Sequence, residues 1–194
     1  MQFKRMFTSD AYKGTHGYLR TQKNYEILRT ALYFAISLSL FIAGWVSTGS
    51  RENLLTIVAV LGCLPACKSL VEMFMFLRYK GCDEKDAAQI AAHAGGLTGL
   101  YDMVFTSYEK NYVIHHLTVC GNTVCGYTTD PKFAEQAFYK HIQDILKKDN
   151  YREVSVKIFN DLDKYLKRCE QLKELPTQPE LSAGICQTLK SVSL

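Results

Sequence analysis

Two long apolar stretches occupy most of the first 80 residues, Thr30 to Val46 and Leu54 to Leu77, with only Ser47 to Asn53 between them. A hydrocarbon core about 30 Å thick is crossed by roughly 20 helical residues, and each stretch reaches that length once its flanks are counted. The pattern predicts two antiparallel membrane-spanning helices, about 27–48 and 54–77, joined by a tight polar turn. The first run starts near residue 30, after a tract rich in Tyr, Lys and Arg, and shows no small-x-small cleavage pattern. It is expected to remain as an anchor rather than to be removed as a signal peptide.

Beyond Tyr79 the periodicity changes. Asp83 stands where a helix cap would, and Ala87, Ile90, Ala91 and Ala94 then recur at helical spacing before Gly95-Gly96. From Leu100 the period shifts toward two, predicting strands over Leu100–Thr106, Tyr112–Cys120 and Thr123–Tyr127, with turns at Glu109-Lys110-Asn111 and Gly121-Asn122. Asp130-Pro131 opens a predicted helix whose stripe is Phe133, Ala137, Phe138, Ile142, Ile145 and Leu146. A fourth strand, Glu153–Phe159, is followed by a helix capped by Asn160 or Asp161 and a short last helix over about Glu180–Ser191. The expected fold is a transmembrane α-helical hairpin followed by a small α/β (α+β) domain with a β-meander, in the order α-β-β-β-α-β-α-α. Three regions result: a basic segment 1–26, the hairpin 27–79 and a soluble domain 80–194.

Charge adds a direction to this picture. Lys4, Arg5, Lys13, Arg20, Lys23 and Arg29 precede the first span, Lys68, Arg78, Lys80 and Lys85 lie at the end of the second, and the turn holds Arg51 as its one basic residue. The positive-inside rule then puts both termini in the cytoplasm and Ser47–Asn53 outside. The seven cysteines lack paired spacing, which suits a reducing compartment for those in the tail.

Within the spans, Trp45 sits where an interfacial aromatic belongs, and Ala35, Ser37, Ser39 and Ala43 offer small positions for close helix approach. Lys68 and Glu72 form an i, i+4 pair near the membrane edge, where the lysine stem can snorkel. Pro65 frees a backbone carbonyl and predicts a bend. These four residues, Trp45, Pro65, Lys68 and Glu72, are the membrane-interface or gating candidates.

In the tail, Asp102, His115 and His116 are the pocket candidates. As neighbours on a strand, the two histidines should face opposite sides and could not bind one metal together. His116 shares a face with Cys120, but four strand residues span roughly 13 Å, too far for a common zinc. His93 and His141 read as hydrogen-bonded packing residues, and Cys63 and Cys67 as helix-packing residues. Lys147, Lys148, Lys164, Lys167 and Arg168 lie on helix faces that also carry Asp and Glu, so they read as solvated surface with no nucleic-acid interface.

The strands around Tyr101-Asp102-Met103-Val104 and Tyr112-Val113-Ile114, then Asp130-Pro131-Lys132-Phe133-Ala134-Glu135-Gln136, Lys140-His141-Ile142 and Val154–Phe159, resemble the core of nuclease-related proteins with a restriction-endonuclease-like fold. The resemblance covers about 100 residues of the tail. It implies an acidic residue on one strand and an acidic-x-Lys triplet on the next, together holding a divalent metal. Asp102 matches the first, but the following strand reads Ile114-His115-His116-Leu117-Thr118 and has neither carboxylate nor lysine. Nuclease chemistry is therefore not expected, and no cofactor or metal is assigned.

The sequence thus favours a membrane-anchored interaction or sensing module with a catalytically inert domain, its partners the lipid bilayer and a protein or small molecule. The alternative is a homo-oligomer whose hairpins line a pore or transport path. A second alternative is an enzyme whose site converges only in three dimensions.

Overall fold

A computed structural model of the chain describes residues 10–108, 110–176 and 178–194. It divides into two compact units, one comprising Leu19–Lys80 and the other Asp10–Tyr18 with Gly81–Leu194. Lys4, Arg5 and Glu109, which enter the readings of charge and turn above, lie outside the described residues.

The first unit consists of two helices, α1 (Tyr18–Thr48) and α2 (Leu54–Arg78), both long and apolar enough to cross a membrane. Except for Tyr108, Tyr139 and Leu175, every large apolar side chain exposed among the described residues lies on these two helices. Large side chains are buried at the open end of the pair, Tyr18, Leu19 and Tyr25 on α1 and Phe76 on α2, but between Thr30 and Ser69 the buried residues are all small. Thr30, Ser37 and Gly44, each seven residues from the next, line the inner side of α1, and Ala59, Ala66 and Ser69 that of α2. A Cβ added at Gly62 would meet Ser37 Oγ at 2.8 Å, so the backbones approach as closely as this pair allows. Of the small positions expected at the seam, Ser37 is there, whereas Ala35, Ser39 and Ala43 are exposed. Pro65 is exposed too, and α2 runs through it without interruption. Asn53 caps α2, its Oδ1 accepting from Thr56 N–H at 2.8 Å.

The second unit is a four-stranded sheet in the order β1-β2-β3-β4: β1 (Thr98–Thr106), β2 (Asn111–Cys120), β3 (Thr123–Tyr127) and β4 (Ser155–Phe159). The first three strands are antiparallel neighbours, and β4 lies parallel to β3. Helices α3 (Glu84–Ala94) and α5 (Leu162–Lys173) share one apolar cluster with Cys120, Cys125 and Tyr127 of the sheet. On the other face, α4 (Glu135–Lys148) and α6 (Pro179–Val192) close the larger core around Phe105, Ile114, Leu117, Phe138 and Ile142. Gly121, at φ +53°, opens the two-residue turn joining β2 to β3, as the Gly-Asn pair suggests. The helix expected at Asp130-Pro131 begins later, at Glu135, because Asp130 Oδ1 accepts from Lys132 N–H at 2.9 Å and closes a turn first.

The exposed edge of β1 is covered from both ends of the described chain. Gly14 pairs with Tyr101, and Ser193 with Phe105. Lys13 Nζ donates to Ser193 O at 3.0 Å, tying the two covering segments together. Such covering removes an open row of backbone donors and acceptors.

Candidate functional site

The pocket candidates meet at a defect in the sheet. Along β1 and β2 the register passes from Tyr101 opposite His116 to Met103 opposite Ile114, leaving Asp102 and His115 between. Asp102 has φ +55°, a left-handed conformation that Asp tolerates better than most residues. Leu100 and Met103, and likewise Ile114 and Leu117, are three residues apart, yet all four belong to one core cluster. In a regular strand such residues face opposite sides. The alternation therefore slips by one at Asp102 and His115, in the manner of a bulge on each strand. This corrects the expectation that His115 and His116 face opposite ways: His115 lies 6.1 Å from the Tyr127 ring, while His116 lies 5.8 Å from Tyr165 on the same α3–α5 side.

Asp102 is buried, and its Oδ1 accepts from Cys82 N–H at 2.7 Å. Burial pushes its carboxyl up, while the Cys82 amide, His16, the Gly17 amide and His115 pull the other way. A Cβ at Gly81 would stand 2.9 Å from each carboxylate oxygen, so only glycine lets the backbone come this close. Gly17 and Gly81 flank the points where the chain leaves the α/β unit and rejoins it. The Asp102 carboxylate thus faces both points, accepting from the Cys82 amide at one and drawn down by the Gly17 amide at the other.

His115 Nε2 is 2.7 Å from Thr129 Oγ1, and its Nδ1 is buried without a hydrogen-bond partner among the described residues. Burial lowers its pKa, opposed by Asp102, Asp83 and Asp86. His116 is more enclosed still. Its Nδ1 lies 2.5 Å from Tyr165 Oη, which also meets Thr118 Oγ1 at 2.7 Å, and Tyr101 packs on its ring at 4.3 Å. Burial drives its pKa down to about 3, so the ring is neutral at physiological pH.

Chemically, this is a hydrogen-bonding node rather than a nucleophilic centre. Cys82, beside Asp102, is pushed up to about 12 by burial and by Asp102, Asp86 and Asp83, so its thiol stays protonated at neutral pH, and burial raises Cys169 as well. Tyr127 donates from its hydroxyl to Asp86 Oδ2 at 3.0 Å, tying β3 to α3. Among the described residues no group of three or more His, Cys, Asp or Glu side chains could hold a metal ion.

The membrane-interface candidates are arranged differently from the local reading. Lys68 Nζ lies 4.0 Å from Glu72 and is largely exposed, whereas Glu72 pairs with Arg29 across the hairpin. Arg29 also reaches Glu26 at 2.6 Å and donates from Nε to Ser69 Oγ at 3.3 Å, beside the 2.8 Å Thr30–Ser69 hydroxyl contact. This clamp was missed because i, i+4 reasoning sees one helix only. The seven-residue spacing of Thr30, Ser37 and Gly44 was the signal that could have found the seam. Trp45 lies under Arg51, whose guanidinium carbon is 5.4 Å from the ring. His93 Nδ1 contacts Glu170 Oε1 at 2.6 Å, and His141 stacks on Tyr112. Comparisons with protein families, with curated proteins and with solved structures found no match to this chain.

Proposed function

We propose that the chain is a membrane-anchored interaction or sensing module, in which α1 and α2 cross the bilayer and the α/β unit is a catalytically inert cytoplasmic domain. One observation carries this reading: nearly all the exposed large apolar side chains of the described residues lie on the two helices, whose seam is built from small residues. In water such a surface would be costly, at about 25 cal/mol per Å² of apolar area. In lipid it is the expected outer face of a span. Basic residues cluster at the open end of the hairpin, with Arg51 alone at its turn, which favours cytoplasmic termini.

The Arg29–Glu72 clamp favours the anchor over the pore alternative, since it satisfies inside the hairpin the acid that would otherwise line a path. No cleavage activity is assigned to the α/β unit. The strand that follows Asp102, β2, carries no carboxylate or lysine over Ile114–Thr118, and Asp102 itself accepts from the Cys82 amide.

Extraction tests the anchoring. Membranes from cells expressing the full chain should retain it after washing with alkaline carbonate and release it with detergent. Release into the carbonate wash would overturn the reading.

A further inference from the structure

The strongest unassigned feature is a basic groove between β4 and α5, far along the sheet from Asp102. Helix α5 buries Tyr165, Leu166, Cys169 and Leu172, and the adjoining stripe of Lys164, Lys167, Arg168 and Gln171 borders the groove. Strand β4 is the last in the sheet and alternates: Val156 and Ile158 enter the core, while Ser155 and Lys157 are exposed on the groove side. Thr123 of β3 completes a cavity of about 450 Å³. Four cations from two elements thus border one concavity.

They are poorly neutralised. Lys164 lies 3.6 Å from Asp161, but Lys157, Lys167 and Arg168 make no ion pair among the described residues. Arg168 Nη1 donates to Gln171 Oε1 at 3.0 Å, and Lys157 Nζ rests 5.4 Å from the Phe159 ring centroid, so both heads are held in place by neutral groups. Like charges gathered in a concave site repel one another and raise the local concentration of anions. Guanidinium and ammonium groups beside the Thr123 and Ser155 hydroxyls form the donor set that phosphate oxygens take.

We propose that this groove binds a ligand carrying two or more phosphate groups, either a free polyphosphate or the phosphorylated headgroup of a lipid. The inference goes beyond the anchoring reading and is independent of it, since the groove lies wholly within the α/β unit. Sequence alone scatters these residues over two strands and a helix between Thr123 and Gln171, each looking like ordinary solvated surface; the parallel placement of β4 beside β3, with α5 against both, brings them together.

The test is calorimetric titration of the detergent-solubilised full chain with inorganic tripolyphosphate and, separately, with inositol trisphosphate as a soluble headgroup probe. Saturable binding should weaken roughly tenfold or more in Lys157→Gln/Lys167→Gln, as expected for two lost charge-assisted contacts. It should persist in Lys147→Gln/Lys148→Gln, which removes the same charge from α4. Tighter tripolyphosphate binding identifies a free polyphosphate, and tighter inositol trisphosphate binding a lipid headgroup. Binding of neither probe, or equal loss in both double variants, would overturn the proposal.

Discussion

At Asp102 a single carboxylate replaces what a regular strand would do with backbone pairing. Its left-handed backbone breaks the ladder, and its side chain then takes the Cys82 N–H. Asp102→Asn keeps an acceptor and a residue that tolerates φ > 0, so it should leave the thermal midpoint nearly unchanged. Asp102→Ala removes the acceptor, orphans a part-buried amide and places a Cβ-bearing apolar residue in a left-handed conformation. It should cost about 1–3 kcal/mol from the amide alone, read as a lower midpoint in thermal melts. Equal midpoints for the two variants would show that the carboxylate holds nothing. Sequence picked out Asp102, His115 and His116 because each is polar within an apolar strand. It missed the slip in phase, since a left-handed residue leaves no periodic mark and adjacent histidines look like ordinary alternation.

Between helices, the same limit of local reasoning appears. Hydropathy made α1 and α2 legible, because length and apolarity are properties of one segment at a time. The partner of Glu72 was not legible, because Arg29 lies on the other helix. The late start of α4 has a similar cause: Asp130 can cap a helix or a turn, and here it caps the turn. The seam itself can be tested at Gly62, where a Cβ would meet Ser37 Oγ at 2.8 Å. Gly62→Val should lower the stability of the detergent-solubilised hairpin by about 1–3 kcal/mol through overpacking. Leu61→Val, on the exposed side, should leave it unchanged. If both variants melt alike, the helices do not pack through this seam.

For the whole chain, the order of elements followed from periodicity, while the organisation into units did not. Residues 10–18 read as part of a basic leader, yet they belong to the α/β unit, where Gly14 extends the sheet at Tyr101. A single backbone bridge of this kind has no hydrophobic period to announce it. In the proposed arrangement the two helices cross the membrane as a hairpin with the α/β unit inside. Labelling with a membrane-impermeant maleimide tests it most directly, using Ser50→Cys at the exposed turn and, at the other end, Cys82, Cys120, Cys125, Cys169 and Cys186. In intact cells Ser50→Cys should react and those five should not, all five becoming reactive once the membrane is opened in denaturant. Reaction of the five in intact cells, with Ser50→Cys protected until lysis, would contradict the account.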